Sequence, residues 1–317
     1  MFGKILVCLD GSSLAEQILP YVSAEASRFN SKVILFQVTP EPIVVSPGIP
    51  GAAPLPVQTK GMLKEAMEAE REAQAYLAEI AERLWKQGVP AETMTMPGRA
   101  GETIVGYAVN DNTGLIALAT HGRSGLGRAV FGSVADFVLR ESGLPILVIK
   151  PQETEAPVSL KPNPFEKILV CLDGSRLAEQ ILPYAQAQAN RFYSKVMLLQ
   201  VATVPTMALA GAGTEAAPAS DQLVAEQSRI AEGEAGEYLK KVAQNLAIDN
   251  LEIVVLQGTP VGKAILDYAD EQGIDLVCLA THGRSGLGRA VFGSVANQVL
   301  RESGLPILVI KPEGTKK

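Results

Sequence analysis

Short apolar runs alternate with longer amphipathic stretches along the chain. In the first half the runs are Lys4 to Leu9, Lys32 to Val38, Glu92 to Met96, Leu115 to Ala119 and Pro145 to Ile149. Five strands separated by helical stretches predict a parallel sheet with crossover helices, an α/β fold of the doubly wound kind. Between the second and third runs, Leu63, Ala66, Met67, Ala73, Leu77, Ile80, Ala81 and Leu84 recur at helical spacing, which predicts a long helix burying one face. Ligands of such sheets bind beyond the carboxyl ends of the strands, where the strand order reverses. Attention therefore falls on Asp10 after the first strand, Val38 and Thr39 at the end of the second, and Thr120 to Phe131 after the fourth.

The pattern then repeats. KILVCLDGS occupies Lys4 to Ser12 and again Lys167 to Ser175, and LAEQILPY follows in both places. Leu115 to Pro151 matches Leu276 to Pro312 except at Ile116/Val277, Ala117/Cys278, Asp136/Asn297 and Phe137/Gln298. A period of about 160 residues is the size of a whole domain, not of a solenoid unit. The expected organisation is a domain at 1–151, a polar, proline-bearing linker at 152–163, and a second domain at 164–317.

Composition changes this picture only by exclusion. At 317 residues the chain suits two cores, and 47% hydrophobic with 20% charged residues is ordinary globular usage. A net charge of −6 argues against a nucleic-acid partner, since phosphate backbones are held by surplus Lys and Arg. No run approaches the ~20 apolar residues of a membrane span and the N-terminus lacks a signal-peptide pattern, so the expectation is a cytoplasmic protein without a membrane partner. Cys8, Cys171 and Cys278 each lie within an apolar strand and form no CxxC pair, which reads as buried packing.

The candidate chemistry lies in THGRSGLGRAVFGS, Thr120 to Ser133, followed by the amphipathic stretch VADFVLRES. Strand, glycine-bearing loop and helix start in succession form an anion site, because the first helical N–H groups have no partner within the helix. Gly122, Gly125 and Gly132 permit close backbone approach, Ser133 adds a hydroxyl, and the Val134 amide belongs to the same first turn. The loop is neither a Walker A motif nor GxGxxG, and simple turns also use glycine. It nonetheless recurs unchanged over Thr281 to Ser294, which brings in Gly283, Gly286, Gly293, Ser294 and Val295. Arg123 and Arg284 either neutralise phosphate or are solvated. His121 and His282 have no assured carboxylate partner and read as structural or ligand-flanking. No residues show metal-ligand spacing.

Each half resembles a universal stress protein domain. Nucleotide-binding members of that family carry Gly-x-x-Gly, nine residues, then Gly-Ser or Gly-Thr. Gly122 with Gly132-Ser133, and Gly283 with Gly293-Ser294, match the later part, while Ala119 and Ala280 stand where the first glycine falls. The resemblance implies a Rossmann-like, adenine-nucleotide α-hydrolase-like fold binding ATP or another adenine nucleotide, with Mg²⁺ accompanying the phosphates. It places Asp10 and Asp173 near ribose and phosphates, and Val38 and Val201 where adenine meets main-chain groups. Asp10 also fits a second role, capping the helix that an LDGS turn opens.

The resemblance further implies that the closing GLPILVIKP strands pair, joining the two halves as an intramolecular pseudo-dimer open to further oligomerisation. Residues 39–58, rich in proline, and 202–220, rich in alanine and glycine, form long connections suited to a lid, to docking of protein partners, or to a plain excursion. The expected function is an adenine-nucleotide-binding sensor or regulator in the stress response. A slow ATP hydrolase and a non-nucleotide scaffold are the alternatives, and no residue stands out as catalytic.

Overall fold

The computed structural model describes residues 1–41, 60–120, 132–152, 161–203, 221–282 and 292–314. The first repeat runs β1 (Lys4–Cys8), α1 (Ser13–Glu16), α2 (Leu19–Phe29), β2 (Lys32–Thr39), α3 (Lys60–Lys86), β3 (Ala91–Pro97), α4 (Ala100–Asn110), β4 (Leu115–Ala119), α5 (Ser133–Glu141) and β5 (Ile146–Ile149). The second repeats it as β6 (Lys167–Cys171), α6 (Arg176–Glu179), α7 (Leu182–Phe192), β7 (Lys195–Ala202), α8 (Asp221–Ala243), β8 (Leu251–Gln257), α9 (Val261–Glu271), β9 (Leu276–Ala280), α10 (Ser294–Glu302) and β10 (Ile307–Ile310). All five strands expected in the first repeat form, each within one residue of the expected bounds at either end.

Two compact units emerge, one built from Phe2–Leu144 and Pro151–Ser159, the other from Pro145–Lys150 and Leu160–Lys317. In the first unit the strand order is β3-β2-β1-β4, with β1 parallel to β2 on one side and to β4 on the other. Ile5, Leu6 and Val7 are fully buried, as a strand covered on both faces requires, and this explains why β1 reads as an uninterrupted apolar run. In the second unit β6 lies in parallel between β7 and β9, and β10 lies parallel to β9. β5, although it closes the first repeat in sequence, groups with this second unit. It runs antiparallel to β10 with Leu147 opposite Leu308, so the two ILVI strands do pair and the sheet of this unit is mixed. The eight residues of this pair are all buried.

Local signals fix the ends of elements. Gly11 and Gly174 follow β1 and β6 at φ of 82° and 86°, a left-handed turn that a residue with a Cβ adopts only with strain. The turn delivers the chain to Ser12 and Ser175, whose hydroxyls accept from the Ala15 and Ala178 amides at 3.1 Å and cap α1 and α6. Beyond β5 the Gln17 amide clasps the main chain of Gln152 through two hydrogen bonds of 2.7 and 2.8 Å, and Gln180 does the same to Glu313 at 2.9 and 2.7 Å.

The long helix departs from the sequence reading. Ala73, Leu77, Ile80 and Leu84 are buried against the sheet, but Leu63 is 49% exposed and Met67 63% exposed. At 1.5 Å per residue the 27-residue α3 is about 40 Å long, whereas the eight residues of β2 span about 26 Å, so the helix outruns the sheet it covers.

Two outcomes are expected. Leu147→Ala should destabilise the chain by about 2–5 kcal/mol in urea titration, the usual cost of emptying a fully buried leucine site. It should also raise amide exchange in Ile307–Ile310, far away in sequence, and unchanged exchange there would contradict the pairing. The second outcome concerns Cys8 and Cys171, free thiols that burial pushes up to about 12 from an ordinary 9.0. The folded chain then keeps protons that the unfolded chain releases. Stability present below pH 9 is therefore lost as pH rises from 9 toward 12, and Cys8→Ala/Cys171→Ala should flatten that decline.

Candidate functional site

In the first unit β1 lies between β2 and β4, the point where the strand order reverses, and a cavity of about 570 Å³ opens beyond the carboxyl ends of these strands. Asp10 comes from the end of β1, Val38 from the end of β2, and Gly132, Ser133 and Val134 from the start of α5. Five residues singled out in the sequence thus meet around one space. Asp173, Val201, Gly293, Ser294 and Val295 line the corresponding cavity of the second unit, about 260 Å³, together with His282. Gly122, Arg123, Gly125, Gly283, Arg284, Gly286 and His121 lie outside the described residues, as do residues 42–59, 153–160 and 204–220.

The aspartate does not cap the helix itself. Asp10 Oδ1 accepts from the Ser12 amide at 3.0 Å and from its hydroxyl at 2.6 Å, and Ser12 in turn caps α1. Asp173 accepts from the Ser175 amide at 3.0 Å in the same way. One carboxylate oxygen is thereby fixed by the turn, which holds the side chain at the cavity wall.

Gly132 has a structural role that the sequence did not disclose. Its amide donates to the Thr120 carbonyl at 2.8 Å, and a Cβ built on it would stand 2.8 Å from that same oxygen. Gly293 repeats the bond to Thr281, with its Cβ position 3.3 Å from the oxygen. The glycine therefore lets the loop return against the end of β4. It also leaves the next three amides, Ser133 to Ala135, at the open first turn of α5, where no side chain caps the helix. The positive end of the helix dipole faces the cavity at that turn.

Val38, Ala100 and Ile104 give the cavity an apolar stretch of wall. A third side comes from α3, which contributes Ala69, Glu72, Ala73 and Tyr76. Sequence reasoning missed these four, although a signal was there: the helices diverge around it, yet Ala-Glu-x-Glu-Ala-x-x-Tyr-Leu is kept at 69–77 and 231–239. Burial holds the Tyr76 hydroxyl above the usual tyrosine range, with the Glu16 and Asp10 carboxylates adding to the effect. This end of the cavity is consequently negative, although Arg83 meets Glu16 at 2.7 Å. In the second unit the His282 ring lies 2.9 Å from the Thr281 hydroxyl. Among the described residues no three His, Cys, Asp or Glu side chains gather as a metal site, and no helix is long and apolar enough to cross a membrane.

Comparison with known proteins agrees with the duplicated architecture. A universal stress protein of Synechocystis is 24% identical over 97% of this chain and 99% of its own length. One from Methanocaldococcus jannaschii is 29% identical over 47% of this chain and 84% of its own length. Among solved structures, a universal stress protein from Archaeoglobus fulgidus superposes with a TM-score of 0.66 at 20% identity, covering 98% of this chain and 99% of that one, a likeness of fold. The model of the universal stress protein family matches residues 1–150 and again residues 164–311. The chain belongs to the universal stress protein family, two of whose domains it carries in tandem.

Proposed function

We propose that the chain binds adenine nucleotides at the carboxyl ends of its strands and acts as a nucleotide-dependent sensor or regulator in the stress response. The observation that carries this reading is the polarity of the larger cavity. An apolar wall of Val38, Ala100 and Ile104 suits a flat base, Asp10 offers an acceptor to ribose hydroxyls, and the open amides of α5 suit phosphate. At about 570 Å³ the space falls within the 300–1,000 Å³ usual for small-molecule sites. The Asp10 and Glu72 carboxylates disfavour phosphate beside them, so the ligand has one preferred orientation. Mg²⁺ in this reading is held by the phosphates and water.

Signalling without turnover fits the described residues better than hydrolysis does. Asp10 is tied into the turn at Ser12 and burial keeps the Tyr76 hydroxyl protonated, so neither supplies a base for water, and Glu72 is the one other described carboxylate on the cavity wall.

Two measurements test the reading. ATP, ADP or AMP at millimolar concentration should raise the melting temperature, because a ligand that binds only the folded state stabilises it by mass action. No shift with any of the three, and no nucleotide in the denatured, freshly purified protein, would sink the proposal. Ser133→Ala, which leaves the backbone amides in place, should weaken nucleotide binding at the first site by roughly 5-fold, the net worth of one hydrogen bond. Gly132→Ala is the poorer variant, since its methyl meets the Thr120 carbonyl whether or not a ligand binds.

A further inference from the structure

The two cavities are lined by nearly the same residues and yet differ in size, the second being less than half the first. Aligning the repeats pairs sixteen lining positions, and thirteen of them carry the same residue in both. The three that differ are Phe36/Leu199, Pro40/Thr203 and Ala100/Val261. Leucine for phenylalanine would enlarge the second cavity, and threonine for proline changes volume little. Among the described lining residues Val261 alone adds bulk, by two methyl groups, a small part of the difference in volume, most of which goes with the absence of the long helix from the lining of the second cavity.

Both residues occupy the first position of equivalent helices, Ala100 in α4 and Val261 in α9. Each stands one turn from the same isoleucine, Ile104 or Ile265, on the apolar wall of its cavity. The side of the first cavity that reaches α3 has no counterpart in the lining of the second. That loss does not come from the helix side chains, because Ala231, Glu234, Ala235 and Tyr238 keep the types of Ala69, Glu72, Ala73 and Tyr76.

We propose that position 100/261 is a size filter for the base. The first cavity accepts a purine nucleotide with its base against Ala100, and Val261 makes the second cavity discriminate against the same ligand. The chain then binds one purine nucleotide tightly and a second one weakly, although the residues that meet ribose and phosphate are the same in both. This rests on the nucleotide reading given above. Charge does not reverse the order: Asp136 stands near the phosphate end of the first site where Asn297 stands in the second, but Arg140 pairs with it at 2.9 Å.

The test is calorimetric titration of the full chain with ADP, comparing the unaltered protein with Ala100→Val and Val261→Ala. The unaltered protein should show one tight site and one at least ~10-fold weaker, the order of cost when two extra methyl groups crowd a packed site. Val261→Ala should tighten the weak site by about the same factor and leave the tight one alone. Ala100→Val should weaken the tight site and leave the other. Two equal sites in the unaltered protein, or no change in Val261→Ala, overturns the filter while leaving nucleotide binding intact. An absence of any heat of binding, with no shift in melting, overturns the nucleotide reading instead. Melting of each variant without ligand checks its fold, and Val261→Ala, which only removes bulk, decides the matter if Ala100→Val is unstable.

Discussion

The position of β1, parallel to β2 on one side and to β4 on the other, governs the rest of the first repeat. The connection after β1 leads toward β2 and the one after β4 leads away from it, so the loops beyond the carboxyl ends of these strands diverge and a space opens between them. Asp10, Val38 and the first turn of α5 meet there because each follows one of these three strands. The second repeat obeys the same constraint around β6. The apolar content of β1 and β6 is therefore a condition for the site as well as for the core. A polar residue in place of Ile5, Leu6 or Val7, or of Ile168, Leu169 or Val170, would be buried on both faces without a partner.

Much of this was legible in the sequence because strands covered on both faces leave an unbroken apolar run. The internal repeat supplied a second reading of every element, and Asp10, Val38 and Gly132 to Val134 were placed by knowing which strand each follows. What escaped was anything that depends on how far one element overlaps another. Leu63 and Met67 keep the helical period of α3, so periodicity marked them as core, although among the described residues they stay exposed. Tyr76 and Glu72 line the cavity from a helix that folds over it, marked only by the agreement of 69–77 with 231–239, and Ala100 carries no such mark.

Gly132 shows how one residue can satisfy two readings. A glycine beside a phosphate site is naturally taken to make room for the ligand. In the folded chain its lack of a Cβ first makes room for the Thr120 carbonyl, and the exposed helix amides follow from that closure. The presence of glycine at both 132 and 293 has a packing cause in part, because each closes by a backbone contact on the threonine that follows its strand.

The partnership of β5 with β10 has a further consequence during synthesis. Leu147 waits for Leu308, 161 residues further along the chain. At about 5–20 residues per second, the ribosome needs on the order of 10–30 s to deliver the partner strand. Throughout that interval the nascent first repeat carries an apolar ILVI segment with an open edge, at close quarters with identical segments on neighbouring nascent chains of a polysome. Premature pairing between chains would use the same hydrogen bonds as the native pair. Slower translation of the second half lengthens that exposure, and a holdase at the ribosome exit would cover it.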